Sequence, residues 1–174
     1  TLKARQNEAR EAAKVLVGAY VYNTVVDTIV CLDGMQVVGA YLAEELTSAG
    51  VMSMNAHQTI YVIAPEFNSN SQMIFRENVQ PMIERKNVLL LMAVVTTGKT
   101  ISKGVECIQY YGGIPQGISA VFTAIENVDG IPVNSIYNKA NLPDYQSYDF
   151  RECPYCREKT KLDALVNSYG FSRL

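Results

Sequence analysis

The residues Val88-Leu89-Leu90-Leu91-Met92-Ala93-Val94-Val95 make one apolar run that stops in Thr96-Thr97-Gly98-Lys99-Thr100, and a helical pattern follows over residues 101–111. A run of this kind reads as a buried strand, and a strand leading through a short Thr/Gly loop into a helix is an α/β unit. The loop brings backbone N–H groups and a helix N-terminus to one point, which is how such units hold an anion. No other stretch of the chain constrains its architecture as strongly.

The remaining sequence repeats the alternation. Residues 3–17 place Ala9, Ala12, Ala13, Leu16 and Val17 at helical spacing with charges between them. Residues 20–32 are rich in β-branched side chains and read as a buried strand with a turn near Asn23, broken by Asp33-Gly34. Residues 35–49 bring Val38, Leu42, Ala43 and Leu46 onto one helical face, with Gly50 as a C-cap. A strand is expected at 59–64. Residues 65–78 carry Asn68, Asn70 and Asn78 among turn-forming serines and read as a long mobile loop, extended over 73–75. A short helix or turn fits residues 80–86. Beyond Gly112-Gly113, strands are expected at 118–125 and 131–137, with Gly130 in the turn between them. Residues 138–157 are irregular and aromatic, and 162–167 reads as a last short helix.

This pattern implies an α/β fold, a mainly parallel twisted sheet flanked by helices, in a single domain over residues 1–174 with an irregular C-terminal tail at 138–174. Ligands of such sheets sit beyond the carboxyl ends of the strands. Two loops occupy that position, residues 32–36 and 94–100, and on neighbouring strands they form a two-point anion site.

A chain of 174 residues, 48% hydrophobic and 18% charged, is long enough for one real core and too apolar for a disordered one. The net charge of −2 and the lack of a long Lys/Arg block argue against a nucleic-acid partner held on a basic face. Residues 1–14 are too charged for a secretory leader, and no apolar run approaches the roughly 20 residues that span a bilayer. Of the four cysteines, Cys31 and Cys107 are isolated in apolar patterns, so no secreted disulfide framework is present. A soluble cytoplasmic protein, without membrane or nucleic-acid partners, is the expectation.

The Thr/Gly loop admits two readings. Ala93 to Thr100 fits the relaxed P-loop pattern, in which Lys99 reaches the β/γ-phosphates and Thr100 binds Mg²⁺. Against it, Val94 and Val95 fall where the loop must wrap the phosphates, and β-branched residues resist the backbone angles needed there. The strand at 118–125 supplies Glu126 but no Asp in a Walker B position. A strand and a helix are also already complete before the motif. The bland alternative is an ordinary turn after a core strand.

The second reading rests on the surroundings. Four hydrophobic residues, two positions, two more hydrophobic residues and then Thr-Thr-Gly-x-Thr resemble the signature of the type I phosphoribosyltransferases, which bind 5-phosphoribosyl-1-pyrophosphate on a parallel sheet. The resemblance covers residues 25–137, and the order of parts is most similar to the orotate phosphoribosyltransferase branch. It implies that Thr96, Thr97, Gly98, Lys99 and Thr100 hold the ribose 5-phosphate. It implies that the loop containing Asp33, Gly34 and Met35 holds the pyrophosphate, with Asp33 on Mg²⁺ directly or through water. The segment 66–78 takes the place of the loop that closes over the reaction, and Arg76 is its one pyrophosphate-neutralising candidate. A homodimer is implied as well.

The departures are equally specific. The family carries two adjacent acidic residues on the ribose hydroxyls where this chain has Met92-Ala93, and apolar side chains cannot accept those hydrogen bonds. Lys99 stands where a second Gly is usual and adds a positive charge. Two functions follow from the resemblance: transfer of ribose 5-phosphate to a pyrimidine base such as orotate, or a non-catalytic nucleotide- or phosphoribosyl-binding module with a degenerate ribose clamp.

Cys153-Pro154-Tyr155-Cys156 is a lone C-x-x-C. It supplies half of a tetrahedral Zn²⁺ site, or a redox pair whose thiol is activated by a following helix, or two reduced thiols in a turn. His57, the single histidine, has no triad partners nearby and reads as structural. Tyr145, Tyr148, Phe150 and Tyr155 form an aromatic group suited to packing, to a base or to a dimer surface.

Overall fold

The computed structural model describes residues 2–48, 50, 53–70, 72–149, 151–167 and 170–174. Helix α1, Gln6–Leu16, buries Ala9, Ala12, Ala13 and Leu16. Those small side chains let it lie close along α2, Gln36–Ser48, which buries Val38, Leu42 and Leu46. Strand β1 spans Thr28–Cys31 and β2 spans Tyr61–Ile63. A short hairpin, β3 (Glu66–Phe67) and β4 (Met73–Ile74), precedes the central strand β5, Asn87–Val95. Helix α3, Lys99–Tyr110, follows, then β6 (Ile114–Thr123), β7 (Asn127–Val128) and β8 (Ile131–Asn138). The tail carries a single helical turn α4, Pro154–Arg157, and the strands β9 (Ala164–Asn167) and β10 (Gly170–Arg173).

The main sheet runs β2-β1-β5-β6-β8-β7, parallel except for the short β7, which pairs antiparallel with β8. The α/β fold with a mainly parallel sheet is therefore the one the sequence implies. Side chains of β5 alternate between two cores. Leu89 and Leu91 join α1 and α2, while Val88, Leu90 and Met92 join α3 on the other face. Each fully buried Leu is worth roughly 2 kcal/mol relative to exposure, and this dual burial is what makes the run continuous rather than alternating.

The connection from β1 through α2 leads outward to β2, and the one from β5 through α3 leads the opposite way to β6. The crossover direction reverses between β1 and β5. That is the topological switch point, where parallel sheets open a crevice for ligands.

Three elements differ from the sequence expectation. The strand expected at 20–32 is confined to Thr28–Cys31. Tyr20 lies in a turn instead, with its hydroxyl bonded to Ile118 O, Ser119 Oγ and Asn134 Nδ2 at 2.9, 2.8 and 2.9 Å. The loop expected at 65–78 contains the β3–β4 hairpin, docked on α3 through buried Phe75, whose ring meets Tyr111 edge-on at 5.4 Å. Ser71 of that loop lies outside the described residues. The helix expected at 162–167 is strand β9, paired antiparallel with β10, so the tail 138–174 is not irregular throughout. Phe150 of the aromatic group lies outside the described residues.

Candidate functional site

Strands β1 and β5 are hydrogen-bonded neighbours, and since β1 ends at Cys31 opposite Leu91 while β5 runs on to Val95, the Thr/Gly loop starts roughly 13 Å further along the strand direction than the Asp-Gly loop. After β1, Asp33 and Gly34 both take positive φ, 53° and 73°, and Met35 N donates to Leu32 O at 3.0 Å. This is the tight turn for which Asp-Gly is suited, because both central residues tolerate left-handed backbone. The Asp33 and Gly34 N–H groups take no partner among the described residues. Met35 contributes differently from its neighbours. Its N–H closes the turn and its side chain is 0% exposed in the α1/α2 core, so it shapes the turn without facing outward.

After β5, Thr96, Thr97 and Gly98 bend into α3. Gly98 is the N-cap, at φ 76°. A Cβ there would stand 3.0 Å from Ile125 Cδ1 and 3.1 Å from Val128 Cγ2, so both conformation and space require glycine. The first-turn N–H groups of Lys99, Thr100 and Ile101 have no intrahelical acceptor by position. They open onto a dimple of about 40 Å³ lined by Met92, Thr96, Thr97, Gly98, Lys99 and Thr100. Orphan N–H groups at a helix start form an anion cradle.

Two further clefts lie at the carboxyl edge of the sheet, separate from this dimple. Toward β2 lies a cleft of about 450 Å³ lined by Lys3, Asp33, Gly34, Gln36, Pro65 and Phe67. Beyond the ends of β6 and β8 lies another of about 330 Å³, lined by Thr123, Glu126, Ser135, Asn138 and Lys139 among others. Lys3 was not identifiable from sequence. Its ammonium donates to Asp33 O at 2.6 Å, which sets a cation above the Asp-Gly turn across thirty residues of chain. No local spacing encodes such a contact.

Met92 and Ala93 point to opposite faces, as strand residues must. Met92 is 5% exposed and packs with the α3 core beneath the Thr/Gly loop, while Ala93 packs with the α1/α2 core. Neither offers a hydrogen-bond acceptor from its side chain to a ligand in the crevice.

Two other candidate residues hold protein partners. Lys99 Nζ lies 3.3 Å from Asp149 Oδ2, which ties the tail to the Thr/Gly loop. The Asp149 carboxyl is held below its usual range by the Arg151 N–H and then by Lys99. Arg76 donates from Nε and Nη2 to Glu66 Oε2 at 2.9 and 2.6 Å, closing the base of the β3–β4 hairpin. That pair keeps the Glu66 carboxyl below its usual range. Both ion pairs are exposed and contribute little to stability.

Among the described residues no three His, Cys, Asp or Glu side chains converge as a metal cage. Asp33 is a single carboxylate beside the crevice, enough for Mg²⁺ only when phosphate oxygens and water complete the shell. Cys153 and Cys156 supply two of the four ligands a structural Zn²⁺ requires. His57 is exposed at a turn with φ 62°, away from both loops in sequence and in the sheet. No helix is long and apolar enough to cross a membrane among the described residues.

The sheet and its loops define a class: α/β proteins with a topological switch point at the carboxyl edge of a mainly parallel sheet. Solved structures narrow that class to one fold. The chain is similar to UMP synthase of Leishmania donovani, with TM-score 0.57 and 14% identity over 82% of this chain and 30% of that one. Orotate phosphoribosyltransferase from Aeropyrum pernix gives 0.56 and 16% over 82% and 78% of the two chains. Adenine phosphoribosyltransferase from Trypanosoma brucei, solved with AMP, pyrophosphate and ribose-5-phosphate, gives 0.56 and 13% over 87% and 73%. The chain thus spans less than a third of the length of that UMP synthase and about three quarters of the length of the two phosphoribosyltransferases. No protein-family model matches the sequence, and no curated protein matches it by sequence. The chain has the type I phosphoribosyltransferase fold.

Proposed function

We propose that the protein binds 5-phosphoribosyl-1-pyrophosphate, or a nucleotide, across its two carboxyl-edge loops. The observation that supports this reading is that both loops leave the carboxyl ends of neighbouring strands at the switch point of a phosphoribosyltransferase fold. The N–H groups and hydroxyls of Thr96, Thr97, Gly98, Lys99 and Thr100 take the 5-phosphate. The Asp33-Gly34-Met35 turn takes the pyrophosphate, with Lys3 adding positive charge. Mg²⁺, where bound, neutralises the pyrophosphate and is held by Asp33. Arg76 closes over the pyrophosphate from the β3–β4 hairpin, exchanging Glu66 for phosphate. The active form is a cytoplasmic homodimer without nucleic-acid or membrane partners.

As an enzyme, such a protein transfers ribose 5-phosphate from pyrophosphate to a pyrimidine nitrogen, orotate being the first base to test. The C1–oxygen bond breaks, the base nitrogen bonds to C1, and pyrophosphate leaves with the electron pair. The chain's own part is to hold both phosphates and stabilise a cationic sugar ring. Met92 and Ala93 favour a second reading, a phosphoribosyl-binding module without turnover, because the ribose receives no carboxylates from them.

Calorimetry with phosphoribosyl pyrophosphate and Mg²⁺, followed by a turnover assay over a nucleobase panel, tests both. Saturable binding with orotate consumption establishes the transferase, and binding without turnover establishes the module. No binding of phosphoribosyl pyrophosphate removes both. Lys99→Ala should weaken phosphate binding by about tenfold, about 1.4 kcal/mol, through loss of one charge-assisted contact.

A further inference from the structure

The C-x-x-C of the tail is left unused by the phosphoribosyl site, yet it differs from the other two thiols in every property that governs reactivity. Cys31 is buried in the α1/α2 core, where desolvation pushes its thiol up to about 12. Cys107 is half-buried, donates to Met73 O and is also pushed up by burial. Both are inert core thiols. Cys153 and Cys156, by contrast, reach solvent and stand at the two ends of one helical turn.

That turn is built for the pair. Pro154 opens α4 and holds Cys153 extended at φ −62° and ψ 117°, as the residue before a proline prefers. Cys153 is the N-cap, and its carbonyl accepts Arg157 N at 3.2 Å. Its sulfur accepts hydrogen bonds from the Cys156 and Tyr155 N–H groups and from the Cys156 thiol, with the Arg157 guanidinium nearby. Those contacts lower the Cys153 thiol, led by the Cys156 N–H, and leave Cys156 as the protonated partner. Their i, i+3 spacing puts the two side chains at either end of one exposed turn, outside both cores, so a bond between them involves that turn alone. A structural Zn²⁺ site would require two further ligands, and no such group converges here among the described residues.

We propose that Cys153 and Cys156 form a thiol–disulfide exchange site, with Cys153 attacking and Cys156 resolving, that takes low-molecular-weight disulfides as co-reactant. The Cys153 thiolate attacks one sulfur of the small disulfide, forming a mixed disulfide and releasing one thiolate, which takes a proton from water. Cys156 then gives up its proton and attacks the Cys153 sulfur, forming the intramolecular disulfide and releasing the second small thiol. Two protein thiols are oxidised and one disulfide is reduced to two thiols, and excess small thiol reverses both steps.

Native protein incubated with glutathione disulfide, then quenched, alkylated and mapped by mass spectrometry, tests the assignment. The expected product is a 153–156 disulfide, reversed by reduced glutathione, with Cys31 and Cys107 still alkylatable after unfolding. Cys156→Ser should stop at a glutathione adduct on Cys153, and Cys153→Ser should react at least about tenfold more slowly than wild type. Equal rates for the two single variants would overturn the roles. So would a wild-type product linked only between chains, or no reaction in protein whose purified form carries stoichiometric zinc on the pair. Both serine variants lie on an exposed turn outside either core, and an unchanged circular dichroism spectrum confirms that each is folded.

Discussion

Gly98 shows how one residue can serve both fold and site. Its φ of 76° turns β5 into α3, and its missing Cβ leaves room for Ile125 and Val128. Gly98→Ala therefore meets a strained backbone and two core side chains at once. The expected cost is about 1–3 kcal/mol, seen as a lower urea midpoint with an unchanged slope. A wild-type midpoint would mean that the loop relaxes without this conformation. Much of this residue's role is readable from sequence, because Thr-Thr-Gly after an apolar strand is a local pattern. Met92-Ala93 is readable in the same way. Lys3 and Asp149 are not, because their contacts with Asp33 and Lys99 span thirty and fifty residues.

Among the elements, the β3–β4 hairpin depends on packing outside itself. Two strands of two residues cannot persist alone in water, and its anchor is Phe75 between the hairpin and α3. Phe75→Ala should cost about 3–5 kcal/mol locally and release the hairpin, which limited proteolysis would detect as new cleavage near Asn70. Uncleaved protein would show that the Glu66–Arg76 clasp is enough. The tail offers a pH test. The Asp149 carboxyl is lowered in the fold, so its contact with Lys99 is complete above the ordinary Asp range and is lost as pH falls through the lower folded value. Carboxyl NMR titration should place Asp149 below a free aspartate. Lys99→Ala should move it only part of the way back, since the Arg151 N–H is the larger cause. Periodicity identified β5, α2 and α3 because their faces are set by neighbouring core contacts. It failed at β9, where Leu162, Leu165 and Val166 fit a helical spacing. Val166 is instead paired with Phe171 in a hairpin, a relation that no window around 162–167 contains.

In the molecule as a whole, the sheet separates an α1/α2 core from an α3 core, and among the described residues no buried side chain belongs to both. The Asp-Gly turn leads into α2 and the Thr/Gly loop into α3, so each of the two loops is rooted in a different core. A ligand that touches both loops is therefore a cross-tie between the helical layers on the two faces of one shared sheet. At one hundred times its Kd it should add about 2.7 kcal/mol to stability. Hydrogen exchange would show where that stability goes. On the proposed binding mode, phosphoribosyl pyrophosphate should slow amides in α2 and α3 together, whereas inorganic phosphate seated in the Thr/Gly loop should slow α3 and leave α2 unchanged. A ligand of this shape would then do more than occupy a crevice: it would pin the helices on both faces of the sheet at once.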